Sequence, residues 1–231
     1  MKNVVISGAS SGIGKEIAKA LLSCGYKVLG IGRNFKQCNI KNENFIPIVC
    51  DLSDKKELHR FIETYKKKDV DILINCAGLG RFAPHEELSI KDIENMIEVN
   101  LTAPLLLSKI FLRSIKKNRG YIFNINSISG IKPAPRGAVY GATKAALRHF
   151  GISLFYEARK SGIKIININP DITNTSFFNE LDFCPSKDNL SFINPTDIAN
   201  LIKDIIQKKQ SFISTDITIE PQLFKIDKKK G

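Results

Sequence analysis

Residues 3–25 read NVVISGASSGIGKEIAKALLSCG and combine three features in a fixed order. The run at residues 3–7 is apolar and rich in β-branched side chains, which is typical of a buried parallel strand. Gly8, Gly12 and Gly14 follow, and apolar residues then recur at helical spacing. A dinucleotide-binding loop requires this context, because glycines let the backbone approach a pyrophosphate and a helix N-terminus stabilises its charge.

Strands and helices alternate along the rest of the chain. Apolar runs predict further strands at residues 26–31, 45–50, 70–75, 121–126, 163–169 and 212–219. Helical spacing predicts helices at 54–68, within 88–117 with a break near 100–104, at 140–158 and at 195–208. This alternation predicts an α/β fold, in which a doubly wound, mostly parallel sheet of about seven strands carries helices on both faces. We expect residues 1–231 to form a single dinucleotide-binding and catalytic domain, with a polar tail over 226–231.

The composition is that of an ordinary globular protein, with 43% hydrophobic and 25% charged residues. No apolar run of about 18 residues is present, so we expect no membrane span. The N-terminus enters a strand directly, without the features of a signal peptide. The five cysteines are scattered without a CxxC pair, which favours reduced thiols in a cytoplasmic protein. The three histidines have no ligand spacing, and we expect no metal.

The net charge of +12 is compatible with a nucleic-acid partner, an anionic surface or a phosphorylated ligand. However, the lysines are spread along predicted helix faces and into the C-terminal tail, which indicates a compositional bias. No basic patch with interleaved aromatic residues is present, so we expect no nucleic-acid partner.

A second informative stretch, residues 127–144, reads SISGIKPAPRGAVYGATK. Tyr140 and Lys144 are four apart in a predicted helix and therefore lie on one face. A nearby cation stabilises a phenolate and lowers its pKa, which favours Tyr140 as a general acid or base. Ser127 follows a predicted strand and so lies at the sheet edge where ligands bind. The alternative is an ordinary apolar contact beside a solvated lysine.

The choice of cofactor depends on residues 32–34, which follow the second predicted strand. An NAD-binding site commonly has an acidic residue here to bind the ribose hydroxyls, but this chain has Gly32 and then Arg33. A guanidinium suits a 2′-phosphate, so we predict NADP, with NAD as the alternative. Arg33 stacking on the adenine would serve either cofactor.

With these residues placed, nearly the whole chain resembles the short-chain dehydrogenase/reductase family, in its compact single-domain branch. GASSGIG resembles the family's cofactor loop TGxxxGIG, with Ser7 in place of threonine, and residues 75–78, NCAG, resemble its NNAG motif. Asp51 resembles the acid that contacts the adenine, and Asn100 resembles the catalytic asparagine. Three further residues match the family's active site in type, order and spacing: Ser127, Tyr140 and Lys144.

The resemblance implies a role for each of these residues. Tyr140 would give a proton to a carbonyl or take one from an alcohol, and Ser127 would hydrogen-bond the substrate oxygen. Lys144 would bind the nicotinamide ribose and lower the pKa of Tyr140, while Asn100 would hold a water that links Lys144 to solvent. The expected cofactor-binding residues are Gly8, Ser10, Ser11, Gly12, Ile13, Gly14, Arg33, Asp51, Leu52, Asn75, Ala77, Gly78, Tyr140, Lys144, Pro170, Thr173 and Thr175.

Residues 171–194 correspond to the family's variable substrate lid. They begin with Asp171 where the family has glycine, which questions how tightly this loop closes on a cofactor. Several apolar side chains here would either line a substrate pocket or pack the loop onto the sheet: Phe177, Phe178, Leu181, Phe183 and Phe192.

Two functions therefore remain to be compared. The first is an oxidoreductase that transfers a hydride between NADP(H) and a carbonyl or alcohol substrate. The second is a non-catalytic dinucleotide-binding regulator of the same fold. The apolar residues on helices 101–117 and 140–158 further predict a homodimer, because family members use these helices for a two-fold interface.

Overall fold

The computed structural model describes residues 1–208 and 211–229. Within these residues there are nine strands: β1 (Asn3–Ser7), β2 (Lys27–Gly32), β3 (Phe45–Val49), β4 (Ile72–Asn75), β5 (Tyr121–Ile125), β6 (Lys164–Pro170), β7 (Phe183–Pro185), β8 (Asp216–Ile219) and β9 (Ile226–Lys228). Seven of them form one parallel sheet in the order β3-β2-β1-β4-β5-β6-β8. β7 and β9 form a separate antiparallel pair.

Helices cover both faces of the seven-stranded sheet. The described residues contain six α-helices: α1 (Gly12–Leu22), α2 (Lys55–Tyr65), α3 (Ile90–Ile97), α4 (Ala103–Lys117), α5 (Ala138–Ala158) and α6 (Pro195–Gln207). Side chains of α1 and α6 share a core with Val4 and Ile6, whereas those of α2, α4 and α5 share the opposite core with Val5. Alternate side chains of a strand point to opposite faces, so β1 is buried on both sides. The predicted doubly wound α/β fold is confirmed.

The strand order places a crevice beside β1. The chain moves outward from β1 through β2 to β3 and then returns to pair β4 on the other side of β1. In open α/β sheets, ligands bind at such a reversal, outside the carboxyl ends of the strands. The segments that follow β1, β4, β5 and β6 all meet at this edge.

The helical segment over 88–117 is interrupted near the predicted position, between α3 and α4. A π-helical turn, Glu98–Thr102, joins α3 to α4, and the helical path continues from one to the other. Pro104 lies in the first turn of α4, where its missing N–H is tolerated. Such single π turns are frequent at functional sites, and this one buries Asn100 completely.

The C-terminal part differs from the sequence prediction in two ways. β8 begins at Asp216 and not at residue 212, and Phe212 is 64% exposed. β9 lies within the predicted polar tail and pairs with β7, inside the predicted lid, with Cys184 opposite Asp227. Residues 230 and 231 of the predicted tail lie outside the described residues. The pairing of β7 with β9 therefore joins the C-terminal segment to the predicted lid.

Candidate active site

The glycine-rich loop between β1 and α1 packs directly against the backbone that follows β4. Gly8 has a φ of +73°, and a Cβ there would lie 2.9 Å from backbone atoms of Ala77. A Cβ on Gly14 would collide with the Gly8 carbonyl oxygen. The Ser7 hydroxyl accepts hydrogen bonds from the backbone amides of Cys76, at 3.0 Å, and Ala77, at 3.1 Å. The serine that replaces the family threonine thus ties the two segments together.

A cleft of about 1090 Å³ opens at this edge of the sheet. The N-terminus of α1 faces the cleft, its capping residue Ser11 makes no side-chain cap bond, and its first turn holds no acidic residue. Free N–H groups and the helix dipole therefore favour an anion here. The chemistry of this wall fits the diphosphate of a dinucleotide. The predicted loop residues on it are Gly8, Ser10, Ser11, Gly12, Ile13 and Gly14.

The end of the cleft beside β2 holds the residues predicted to contact the adenosine. A Cβ on Gly32 would lie 2.8 Å from Ser10 Oγ, so glycine at this position lets the loop lie against β2. Asp51 Oδ1 accepts hydrogen bonds from the Ser53 amide, at 2.9 Å, and the Ser53 hydroxyl, at 2.8 Å, which fixes the carboxylate. Three predicted residues line the wall here: Arg33, Asp51 and Leu52.

A smaller cavity of about 620 Å³ adjoins this end of the cleft. Its walls include Arg33, Asn34 and Lys15, which sits in the first turns of α1. Sequence reasoning missed Lys15, although its place directly after Gly14 in the loop motif could have indicated it. Two cations, one from α1 and one from the segment after β2, therefore line the same cavity. Glu16 partly balances them, with its carboxylate 4.0 Å from Lys15 Nζ.

Ser127, Tyr140 and Lys144 come together on the cleft wall near the ends of β4 and β5. The Ser127 hydroxyl accepts a hydrogen bond from the Ser129 amide at 3.1 Å. Tyr140 is 8% exposed and Lys144, one helical turn later, is 3% exposed. Lys144 Nζ donates to the Ile125 carbonyl oxygen at 2.9 Å and lies 5.8 Å from the centre of the Tyr140 ring.

Asn100 lies behind this group and supports the cleft wall. Its Oδ1 accepts from the Leu79 amide at 2.8 Å, and its Nδ2 donates to the Leu79 carbonyl at 2.8 Å and to Thr143 Oγ1 at 3.0 Å. The side chain therefore ties the segment after β4 to α5, beside Lys144. Both N–H groups of the side chain are therefore used, and the side chain has none left to donate to a water.

Burial dominates the pKa values of the tyrosine and the lysine. Burial raises the pKa of Tyr140 to about 12, and the Ser127 hydroxyl acts in the opposite direction. Burial lowers the pKa of Lys144 to about 8, while Cys76 acts in the opposite direction. The rise in the pKa of Tyr140 comes chiefly from the cost of burying the phenolate. That Lys144 lowers the pKa of Tyr140 stays a prediction. Tyr140 is therefore a neutral phenol at pH 7.

Asn75, predicted to bind the cofactor, lies instead within the sheet and is 1% exposed. Its Nδ2 donates to Asn124 Oδ1 at 2.9 Å and to Ser108 Oγ at 3.3 Å. Asn124 Nδ2 donates in turn to Asn167 Oδ1 at 3.2 Å, which Asn126 Nδ2 also reaches at 3.1 Å. This row of buried amides, which we call the amide ladder, supports the strand ends below the cleft. Two neighbours of Asn75 do line the cleft: Ala77 and Gly78.

Comparison with known proteins identifies the family. The short chain dehydrogenase family model matches residues 2–183, which include the glycine loop and all four predicted catalytic residues. The chain belongs to the short-chain dehydrogenase family.

Three relatives of this chain indicate the range of the family. A probable NADP-dependent dehydrogenase of Haemophilus influenzae is 28% identical over 94% of this chain and 92% of its own length. The solved structure of an alcohol dehydrogenase from Thermococcus sibiricus, complexed with 5-hydroxy-NADP, is 26% identical and covers 96% of this chain and 97% of its own, with a TM-score of 0.80. A 4-hydroxyisoleucine dehydrogenase complexed with NADH is 29% identical over 96% of this chain and 97% of its own, with a TM-score of 0.81.

The segment after β6 carries Asp171 at the position of the family glycine. Asp171 Oδ1 accepts a hydrogen bond from the Ile172 amide at 2.8 Å; burial raises the pKa of this carboxyl, and that amide opposes the rise. The carboxylate thus turns onto its own loop. Thr175 Oγ1 accepts from the Phe177 amide at 3.3 Å. The predicted residues of this segment that line the cleft are Pro170, Thr173 and Thr175.

The apolar residues of the predicted lid divide into two groups. Phe177, Phe178 and Phe183 line the cleft. Leu181 is 8% exposed, and neither it nor Phe192 forms part of the cleft wall. Each of the two predicted arrangements therefore applies to part of the group, since some of these side chains line the cleft and others pack the loop.

Over residues 1–208 and 211–229, no three His, Cys, Asp or Glu side chains gather as a metal ion would require. No helix among the same residues is long and apolar enough to cross a membrane.

Proposed function

We propose that this family member transfers a hydride between NADP(H) and a carbonyl or alcohol substrate, with Ser127, Tyr140, Lys144 and Asn100 as its active-site residues. The observation that carries the proposal is the placement of a phenol and an ammonium, one helical turn apart, on a cleft whose far end fits a dinucleotide. When bound, the nicotinamide supplies or accepts the hydride.

In carbonyl reduction, Tyr140 donates its phenolic proton to the substrate oxygen. The raised pKa of Tyr140, about 12, keeps that proton in place at neutral pH. Ser127 donates a hydrogen bond to the same oxygen as negative charge develops on it. The Ser129 amide bonds the oxygen of Ser127, so this bond does not use the hydroxyl hydrogen, which can be donated to the substrate.

Lys144 and Asn100 would help to return a proton to Tyr140 after it has donated its own to the substrate. Lys144 is held in the cleft wall by the Ile125 carbonyl oxygen and would bind the ribose next to the nicotinamide. A bound ribose and the lysine charge together would stabilise the phenolate that remains after proton donation. The Asn100 backbone, in its π turn, would hold the water that connects Lys144 with solvent.

For the cofactor, we propose NADP(H) as the preferred form and NAD(H) as the alternative. Arg33 and Lys15 on the cavity beside the adenosine end are the side chains that would bind a 2′-phosphate. The NADP-dependent relative and the 5-hydroxy-NADP complex support this choice. The NADH complex of the 4-hydroxyisoleucine dehydrogenase supports the alternative. The diphosphate would lie on the glycine loop, with Thr173 and Thr175 on the opposite wall.

We further propose that residues 1–231 act as one domain, that residues 171–194 form the substrate lid, and that the protein is a homodimer. The dimer would form through α4 and α5, whose outer sides leave apolar residues only partly buried: Leu105, Leu106, Ile110, Phe150 and Phe155.

Cofactor oxidation tests the proposed function. Purified protein is assayed with NADPH and with NADH against ketones, aldehydes and 3-oxoacyl thioesters, and oxidation is followed by loss of absorbance. Turnover that requires a carbonyl substrate supports the enzyme. Tight NADPH binding with no turnover on any substrate class would favour the non-catalytic regulator.

A further inference from the structure

We propose that the substrate is an uncharged carbonyl compound with a flat apolar group next to its carbonyl. This inference rests on the proposed function and names its substrate class. It is carried by the aromatic rings around Tyr140 and by the charges at the rim of the cleft.

Aromatic rings from three segments surround Tyr140. The ring of Phe82, in the loop after β4, lies 5.3 Å from that of Tyr140, and the ring of Phe177, from the lid, lies 5.8 Å away. Phe183 of β7 meets Phe82 edge-on at 5.4 Å. Phe82, Phe177 and Phe183 line the cleft and are only half-buried. Rings that simply filled the core would be fully buried, as those of Phe111 and Phe123 are.

Two glycines provide the space in which these rings lie. A Cβ on Gly80 would collide with the Phe177 ring and lie 2.9 Å from Phe82 Cε2. A Cβ on Gly137 would lie 2.8 Å from Phe82 Cε1. The loop after β4 and the start of α5 therefore both leave room for rings at this point. The tilted and edge-on ring arrangements are those that aromatic groups prefer, so a further flat group of a ligand can join them.

The rim of this half of the cleft carries cations that are already paired. Arg81 Nη2 lies 2.6 Å from Glu180 Oε2 and its Nε lies 3.5 Å from Asp92 Oδ1. Lys132 Nζ lies 2.7 Å from Glu220 Oε2.

A second acidic residue of the lid is also paired, since Arg136 Nη1 lies 3.6 Å from Asp182 Oδ2. A further lysine, Lys228, is exposed on β9, where water screens its charge. A carboxylate substrate would have to break one of these pairs to gain a partner. Charge at the rim therefore favours a neutral substrate, unlike the amino acid named for the 4-hydroxyisoleucine dehydrogenase.

Three carbonyl compounds test the effects of charge and of apolar contact separately: ethyl benzoylformate, its free acid benzoylformate, and ethyl pyruvate. The free acid adds a negative charge, and ethyl pyruvate lacks the aromatic ring. We expect kcat/KM for ethyl benzoylformate to exceed that for each of the other two by about tenfold or more. Ethyl pyruvate lacks the apolar group that would be buried, and benzoylformate would bring an unpaired charge against apolar rings. Phe177→Ala should lower kcat/KM for ethyl benzoylformate about tenfold and change that for ethyl pyruvate by less than about threefold. Phe177→Leu retains packing and should give a smaller loss in the same direction.

Phe212→Ala is the matched control, because Phe212 is 64% exposed and lies away from the cleft wall. It should leave all three values unchanged. The inference is overturned if kcat/KM for benzoylformate equals that for its ester. It is also overturned if Phe177→Ala lowers kcat/KM for ethyl benzoylformate and for ethyl pyruvate by the same factor.

A binding measurement keeps this test separate from the proposed function. In Tyr140→Phe, calorimetric titration with and without NADPH compares the ester with the acid in the absence of turnover. Tighter binding of the ester than of the acid supports the substrate class even if the wild-type protein oxidises no cofactor. The absence of cofactor oxidation would refute only the proposed function. Equal or tighter binding of the acid overturns the substrate class, whatever the activity.

Discussion

Replacing one member of the amide ladder tests how the sheet supports the site. Asn124 is fully buried, accepts a hydrogen bond from Asn75 at 2.9 Å and donates one to Asn167 at 3.2 Å. Leucine has a similar size but can make neither bond. In Asn124→Leu, two neighbouring amides therefore lose a partner within the core.

The magnitude follows from what those neighbours retain. Asn75 keeps a 3.3 Å bond to Ser108, and the Asn167 oxygen keeps a 3.1 Å bond from Asn126. Neither group is left fully unsatisfied, so the loss is that of two net hydrogen bonds, or about 2 kcal/mol. For a chain of this size, that corresponds to a fall in Tm of about 4–8 °C.

Thermal unfolding followed by circular dichroism measures the effect, at matched protein concentration. The control is Asn200→Leu, because Asn200 is exposed on α6, and its Tm should change by no more than about 2 °C. If Asn124→Leu unfolds at the wild-type temperature or above it, the ladder does not stabilise the sheet and the reasoning is refuted.

Three other predictions concern cofactor, charge and assembly. Arg33→Ala should lower the ratio of kcat/KM for NADPH to that for NADH about tenfold or more. A ratio near one that the mutation does not change would show that Arg33 does not bind the 2′-phosphate. Lys144 has a pKa of about 8 in the folded protein against 10.5 ordinarily, so between these values the unfolded chain binds more protons and stability should rise with pH. Tyr140, whose pKa is raised from 10.0 to about 12, acts in the opposite sense only above pH 10. The Tm of the wild type relative to Lys144→Met should therefore rise from about pH 7.5 to about pH 9.5, and a constant difference would contradict this. Light scattering at micromolar concentration should give the mass of a dimer, and a monomer mass would refute the α4–α5 interface.

Local features of the sequence predicted the fold and much of the cleft. The strand, glycine turn and helix at residues 3–25 are contiguous, so their arrangement follows from spacing alone. Tyr140 and Lys144 share a helix face for the same reason. Most of the predicted cofactor residues line the cleft because they follow parallel strands, whose carboxyl ends meet at one edge.

Features that depend on distant contacts could not be predicted. The amide ladder joins residues from separate strands, so nothing near Asn75 in sequence indicates that its side chain is already used. The pairing of β7 with β9 also joins segments far apart in the chain. The pKa of Tyr140 depends chiefly on how deeply the assembled cleft buries the side chain, which the neighbouring sequence does not show.

The most direct test of the active site is Tyr140→Phe, compared with Tyr156→Phe on the same helix. Phenylalanine keeps the ring in place, and Tyr156 is 67% exposed, so neither change should disturb the fold. NADPH affinity is measured by calorimetry and turnover by NADPH oxidation with the best carbonyl substrate. We predict that Tyr140→Phe binds NADPH nearly as the wild type does but turns over about two to four orders of magnitude more slowly, while Tyr156→Phe is unchanged. Turnover of Tyr140→Phe within a few-fold of the wild type would contradict this prediction.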